Sequence, residues 1–153
     1  MSVPLATSDD LLTQAAGLLA NEGDRIANAA NLSALIYQTL ADINWVGFYF
    51  AKGDELVVGP FQGKPACVRI PLGRGVCGKA AANREIIRVT DVQEFDDHIA
   101  CDVESRSEIV MPLIKSGQLI GVLDVDSPRR GRFTAEDEIL FGKLAETYIG
   151  SID

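Results

Sequence analysis

The 153-residue sequence lacks any apolar run of the roughly 18–20 residues needed to cross a bilayer, so a membrane-spanning helix is not expected. It is also short of positive charge. Fourteen Lys and Arg stand against 22 Asp and Glu, a formal net charge of −8. A nucleic-acid partner calls for a basic face, and this balance argues against one. It suits instead a solvated enzyme, or a pocket that receives a cationic group. The first residues, MSVPLATSDDLL, show no basic stretch ahead of an apolar core, so the expected location is the cytoplasm. Cysteine is scarce and odd in number: Cys67, Cys77 and Cys101. A structural disulfide framework is therefore not expected, and the absence of any C-x-x-C pair weakens a zinc reading. Histidine occurs once, as His98.

What is present reads as one α+β domain. Residues 8–21, SDDLLTQAAGLLAN, fit a helix capped by Ser8 or Asp9, with Leu11, Leu12, Ala15, Leu18 and Leu19 on its apolar face. Gly23 ends it. A second helix over 25–42 carries Ile26, Ala29, Ala30, Leu32, Ala34, Leu35, Ile36 and Leu40. From Asn44 the chain turns aromatic and β-branched, and NWVGFYFAKGDELVVGPF reads as a hairpin turning at Lys52-Gly53-Asp54. Trp45, Gly47 and Tyr49 share one face of its first strand; Val46, Phe48 and Phe50 share the other. Trp45 and Tyr49 are either plain core or the wall of a pocket, because each carries a polar tip that needs a partner.

Residues 65–70, PACVRI, read as a strand placing Cys67 and Arg69 on one face. Gly73, Gly75 and Gly78 then spell G-x-G-x-x-G ahead of an alanine-rich helix. A dinucleotide site needs that motif inside parallel βαβ units, whereas here it lies between hairpins, so the glycines read as a tight turn. The start of that helix is expected to lower the pKa of Cys77. A short strand, IIRV, leads to a polar stretch of about 15 residues that holds His98 and Cys101, and loops of this length are usually functional or disordered. A lone loop histidine is expected to face solvent. The second hairpin runs from Glu108 to Lys115 and from Gln118 to Asp126. Its last strand puts Gln118, Ile120, Val122, Asp124 and Asp126 on one face, an unusual end for a face that packs only on apolar neighbours. Thr134-x-x-Asp137 resembles a capping box for a final helix bearing Ile139, Leu140, Leu144 and Ile149. The expected architecture is a mainly antiparallel sheet of about six strands. The N-terminal helices (about 8–42) and the C-terminal helix (about 134–151) cover one face, and the other carries loops and a short helix that form a pocket within about 44–126.

Three chemistries remain open for the thiols: inert buried residues, a Cys67/Cys77/Cys101/His98 metal site, or redox exchange in which one thiolate attacks and another captures the oxidised sulfur. Glu108, Asp124 and Asp126 in a concave site would attract an ammonium group, and a carboxyl kept protonated by crowded like charges could act as a general acid. Solvated strand ends are the ordinary alternative for all three.

Quoted together, NWVGFYF, GPFQGKPAC, IPLGRGVCG, HIACDVESRSEIVMP and GVLDVDSP resemble the free methionine-(R)-sulfoxide reductases, single GAF domains that act as enzymes, over nearly the whole chain. The resemblance implies reduction of free L-methionine-(R)-sulfoxide with no bound cofactor or metal. Cys101 would attack the sulfoxide sulfur, and Cys67 would resolve the sulfenic acid as a disulfide, with Cys77 the alternative partner. Thioredoxin, recharged by NADPH through thioredoxin reductase, would restore the thiols. It further implies that Glu108, Asp124 and Asp126 bind the sulfoxide and the amino group, while Trp45 and Tyr49 hold the methyl group. Backbone N–H groups around Ala100 and Cys101 are expected to take the carboxylate, and the 91–106 loop to act as a lid. A homodimer through the N-terminal helices or a sheet edge is compatible with the fold. A GAF module that senses a small ligand or redox state is the rival reading.

Overall fold

A computed structural model describes residues 7–99, 101 and 103–153. Helices α1 (Ser8–Leu19) and α2 (Arg25–Thr39) lead into the hairpin β1 (Trp45–Lys52) and β2 (Glu55–Gly63). Then follow β3 (Arg69–Pro71), α3 (Gly75–Asn83), β4 (Ile87–Val89), β5 (Ser107–Lys115), β6 (Gln118–Ser127) and α4 (Ala135–Ser151). The six strands form one sheet in the order β3-β2-β1-β6-β5-β4, with every pairing antiparallel. The expected α+β sandwich is what forms.

Local chemistry explains most boundaries. The cap of α1 is Thr7, one residue before the expected Ser8 or Asp9, because Asp10 reaches back to complete a capping box. The Asp24 carboxylate accepts from the N–H groups of Ile26 and Ala27 and starts α2, which stops at Thr39 rather than running to 42. The Thr134/Asp137 capping box opens α4 as expected. No basic residue lies in the last turn of α4. Instead the Lys115 ammonium, from β5, donates to the carbonyls of Ile149 and Ile152 at 2.9 and 2.6 Å. Ser116 and Gly117 both take positive φ in the two-residue turn between β5 and β6.

Two apolar clusters lie on opposite faces of the sheet. One joins α1, α2 and α4 to Val46, Phe48, Ile109, Met111, Leu113, Leu123 and Val125. The other joins α3 to Trp45, Tyr49, Val110 and Val122. The two faces read from β1 are thus both buried, as its composition implies. Four expected apolar positions are not in the core: Leu18, Ile26, Ala30 and Ile139 are exposed. The expected common face of β6 holds from Val122 to Asp126 but fails at Ile120. A register shift opposite Leu113/Ile114 inserts an extra residue there, and Ile120 turns to the helical side. The strand expected over 65–70 begins only at Arg69, leaving Cys67 in the preceding connection.

Phe48 is fully buried, with its ring 4.6 Å from that of Tyr148 and 6.2 Å from that of Phe50. Phe48→Ala is expected to cost about 3–5 kcal/mol in urea unfolding, whereas Ile139→Ala should stay within about 0.5 kcal/mol. Comparable losses would contradict this assignment of the core.

Candidate active site

The pocket is set by strand register. Asp126 of β6 lies opposite Trp45 on one side and Glu108 on the other; Asp124 lies opposite Gly47 and Val110; Val122 lies opposite Tyr49. Directly opposed residues project from the same face of a sheet. One row across three strands therefore carries an aromatic ring and two carboxyls, and a third carboxyl stands two residues away. Helix α3 covers this face and brings Cys77, while the connection after β4 brings His98, Ile99 and Cys101. Together they enclose a cavity lined by Trp45, Tyr49, Cys77, His98, Cys101, Glu108, Asp124 and Asp126, closed by Pro65, Ala66, Ile70, Gly75, Val76, Ile99 and Ser105.

Cys67 and Cys101 form a disulfide, with Cα atoms 5.4 Å apart. Cys101 borders the cavity, and Cys67 is its partner from the connection before β3. Cys77 is a free buried thiol at the cavity floor, and its Sγ donates to Glu108 Oε2 at 3.8 Å. The expectation that the start of α3 activates Cys77 is reversed. Burial, then the Asp124 and Glu108 carboxylates, push its thiol pKa well up and outweigh any dipole effect.

Glu108 and Asp124 are 8% and 4% exposed, which rules out solvated strand ends for this pair. Burial is the main force raising the Glu108 pKa, reinforced by Asp124; burial and then Asp126 do the same for Asp124. Oδ1 of Asp124 is buried with no hydrogen-bond partner. Among the described lining residues the only basic side chain is His98, and its partial burial lowers its pKa. Around Glu108 and Asp124 the described lining residues thus include no Lys or Arg. His98 lines this space rather than facing open solvent, a placement its sequence context does not signal.

The two aromatics serve both readings the sequence leaves open. They belong to the apolar cluster and also wall the cavity. Their polar tips are satisfied: Trp45 Nε1–H donates to the Lys64 carbonyl and Tyr49 O–H to the Cys67 carbonyl, each at 3.1 Å. Gly73 and Gly75 adopt positive φ in the turn into α3, and a Cβ on Gly78 would come within 2.5 Å of the Pro71 carbonyl. The glycine motif is thus a turn within an antiparallel sheet, not a dinucleotide fingerprint. Of the N–H groups expected to hold a carboxylate, that of Cys101 donates to Ile99 O at 3.1 Å, and Ala100 lies outside the described residues. Ser105, Ile99, Val76 and Ile70 complete the lining without a sequence signal: Ile99 and Ser105 come from the connection between β4 and β5, Val76 from α3 and Ile70 from β3.

Cys77, Glu108 and Asp124 have ligand atoms within 4.8 Å of one another, so their spacing alone would admit a metal ion. The four-residue metal set weighed from sequence does not assemble, because two of its thiols are joined as a disulfide.

Residues 12–148 match the model of the GAF domain. A free methionine-R-sulfoxide reductase of Escherichia coli is 60% identical over 121 residues, which cover 79% of this chain and 73% of that protein. The enzyme of the same name from Saccharomyces cerevisiae is 43% identical, over 90% of this chain and 81% of its own length. Among solved structures, free methionine-R-sulfoxide reductase from Neisseria meningitidis in complex with its substrate superposes with a TM-score of 0.93. It shares 44% identity and covers 99% of this chain and 91% of its own. Similarity of this depth across the strands, helices and connections that build the cavity means that the chain belongs to the free methionine-R-sulfoxide reductases, a family of GAF domains.

Proposed function

We propose that the chain reduces free L-methionine-(R)-sulfoxide to L-methionine. The observation that carries this reading is a cavity combining one half of a disulfide, the buried carboxyls of Glu108 and Asp124, and an aromatic wall. A zwitterion with a small apolar tail is complementary to that mixture. Its ammonium answers the carboxylates, and its S-methyl packs on Trp45 and Tyr49.

The reaction runs in three balanced steps. The thiolate of Cys101 attacks the sulfoxide sulfur. A proton from the Glu108/Asp124 pair passes to the sulfoxide oxygen, and the oxygen ends on Cys101 as a sulfenic acid while methionine leaves. The thiol of Cys67 then displaces that oxygen as water and forms the disulfide. Reduced thioredoxin exchanges its dithiol with this disulfide and is recharged from NADPH by thioredoxin reductase, in the cytoplasm. Neither the protein nor its cavity requires a bound cofactor for this cycle. Cys77 supports the floor through Glu108 and is the alternative partner for the oxidised sulfur. The 91–106 connection acts as a lid, tied at its base where Asp91 pairs with Arg106 at 3.1 Å and its tip where Arg74 pairs with Asp97 at 2.7 Å.

Cys101→Ser should release no methionine from the reduced protein. The Cys67→Ser/Cys77→Ser double variant should still release one methionine per chain in a single turnover, but without a disulfide, as read by quenched mass analysis. Turnover by Cys101→Ser would contradict the nucleophile assignment.

The proton donor has a pH signature. A carboxyl whose pKa is raised keeps its proton above the usual carboxylate range, so its acid function is present below the raised pKa and lost as pH rises through it. Methionine formation should therefore fall on the alkaline side. Glu108→Gln should lower kcat by about 10²-fold or more and flatten that limb. An unchanged alkaline limb would remove Glu108 from the proton path.

A further inference from the structure

The Cys67 half of the disulfide is carried by neither strand nor helix. β2 ends at Gly63 and β3 begins at Arg69, so residues 64–68 must be held by other contacts. Among the described residues, three carbonyls of this segment accept hydrogen bonds from donors on the sheet. Trp45 Nε1–H donates to Lys64 O and Tyr49 O–H to Cys67 O, each at 3.1 Å; the backbone N–H of Val58 donates to Val68 O at 2.9 Å.

The two side-chain donors are themselves immobilised. Trp45 and Tyr49 are 3% and 2% exposed, their rings stack at 5.8 Å, and Trp45 also stacks on Phe61 at 5.2 Å. Glycine makes room for this arrangement. A Cβ on Gly47 would stand 2.8 Å from Trp45 Cη2, and one on Gly63 would stand 2.7 Å from Trp45 Cδ1. Burial and the nearby Asp124 carboxylate hold the Tyr49 hydroxyl firmly protonated, so it remains a donor. A buried N–H or O–H without an acceptor is costly, and these two carbonyls are the acceptors supplied.

We propose that Trp45 and Tyr49 are positioning residues for the disulfide. Besides walling the cavity, they clamp the Cys67 segment at bonding distance from Cys101 and so raise the effective concentration of one thiol at the other. The W-x-G-x-Y face of β1 is thus shared between the cavity and the redox pair. The inference rests on the reading of Cys67 and Cys101 as that pair.

The test needs no substrate. Reduced full-length protein is equilibrated anaerobically with glutathione and glutathione disulfide, where protein dithiol and oxidised glutathione yield protein disulfide and two glutathione thiols. The mixture is acid-quenched, alkylated and peptide-mapped. Tyr49→Phe keeps the ring and deletes only the donor, and it should lower the equilibrium constant for the Cys67–Cys101 disulfide about five- to ten-fold, the equivalent of one neutral hydrogen bond. Trp45→Phe should shift it in the same direction. Tyr148→Phe deletes a comparable O–H, which donates to the Arg25 carbonyl at 2.9 Å among the packed helices, and should leave the constant within about two-fold. An unchanged constant in Tyr49→Phe, or an equal shift in Tyr148→Phe, would overturn the positioning role. A wild-type protein that oxidises through Cys77 instead would overturn the redox-pair reading beneath it.

Discussion

Burying Glu108 and Asp124 beside Cys77 on a single sheet face is the constraint that organises the rest of this structure. Helix α3 covers them, and among the described lining residues there is no Lys or Arg. Such a site keeps protons that carboxylates ordinarily give up, and it leaves a lone pair on Asp124 unused. A fold optimised only for stability would place apolar residues there. On the proposed function, these carboxyls bind a cationic, hydrogen-bonding ligand and supply the proton that is transferred.

The sheet makes this tolerable by separating two tasks. Its helical face is a continuous apolar layer in which Phe48, Phe141, Leu144 and Tyr148 are fully buried. That layer supplies the stability, and the opposite face can then hold polar groups at strand-register precision. Antiparallel pairing of β1, β6 and β5 brings Trp45, Asp126 and Glu108 into one row although they are far apart in sequence. Rigid strands carry the carboxyls and rings, whereas connections carry both halves of the disulfide. Groups that must hold still thus sit on the scaffold, and groups that must change bonding partner sit where the backbone can adjust.

The elements were largely legible because their signals are local: alternation in β1, the Thr134/Asp137 capping box, and turn residues at 115–117. The two carboxylates ending the β6 face also announced the site, since buried charge at the end of an apolar strand demands a reason. What could not be read was whatever depends on distant partners. Nothing near Cys77 in sequence tells that α3 would sink it among carboxyls and raise its pKa rather than lower it. Ile120 left its expected face because of a register shift set by the neighbouring strand. Cys67 looked like a strand residue, yet its position is decided by hydrogen bonds from Trp45 and Tyr49. Even the disulfide partner was supplied by family resemblance rather than by spacing, which left the three thiols equivalent.

The most direct test of the account is reduction of the sulfoxide to the thioether by the reduced protein, with a small dithiol as reductant, in three compounds. These are free methionine-(R)-sulfoxide, the free (S)-sulfoxide, and the (R)-sulfoxide within a blocked peptide. The proposed function predicts turnover of the free (R) form alone, since in it the carboxyls bind a free ammonium and the aromatic wall fixes the face of the sulfur presented to Cys101. Equal turnover of the blocked peptide, or no thioether from any of the three while Cys67 and Cys101 are demonstrably reduced, would contradict it.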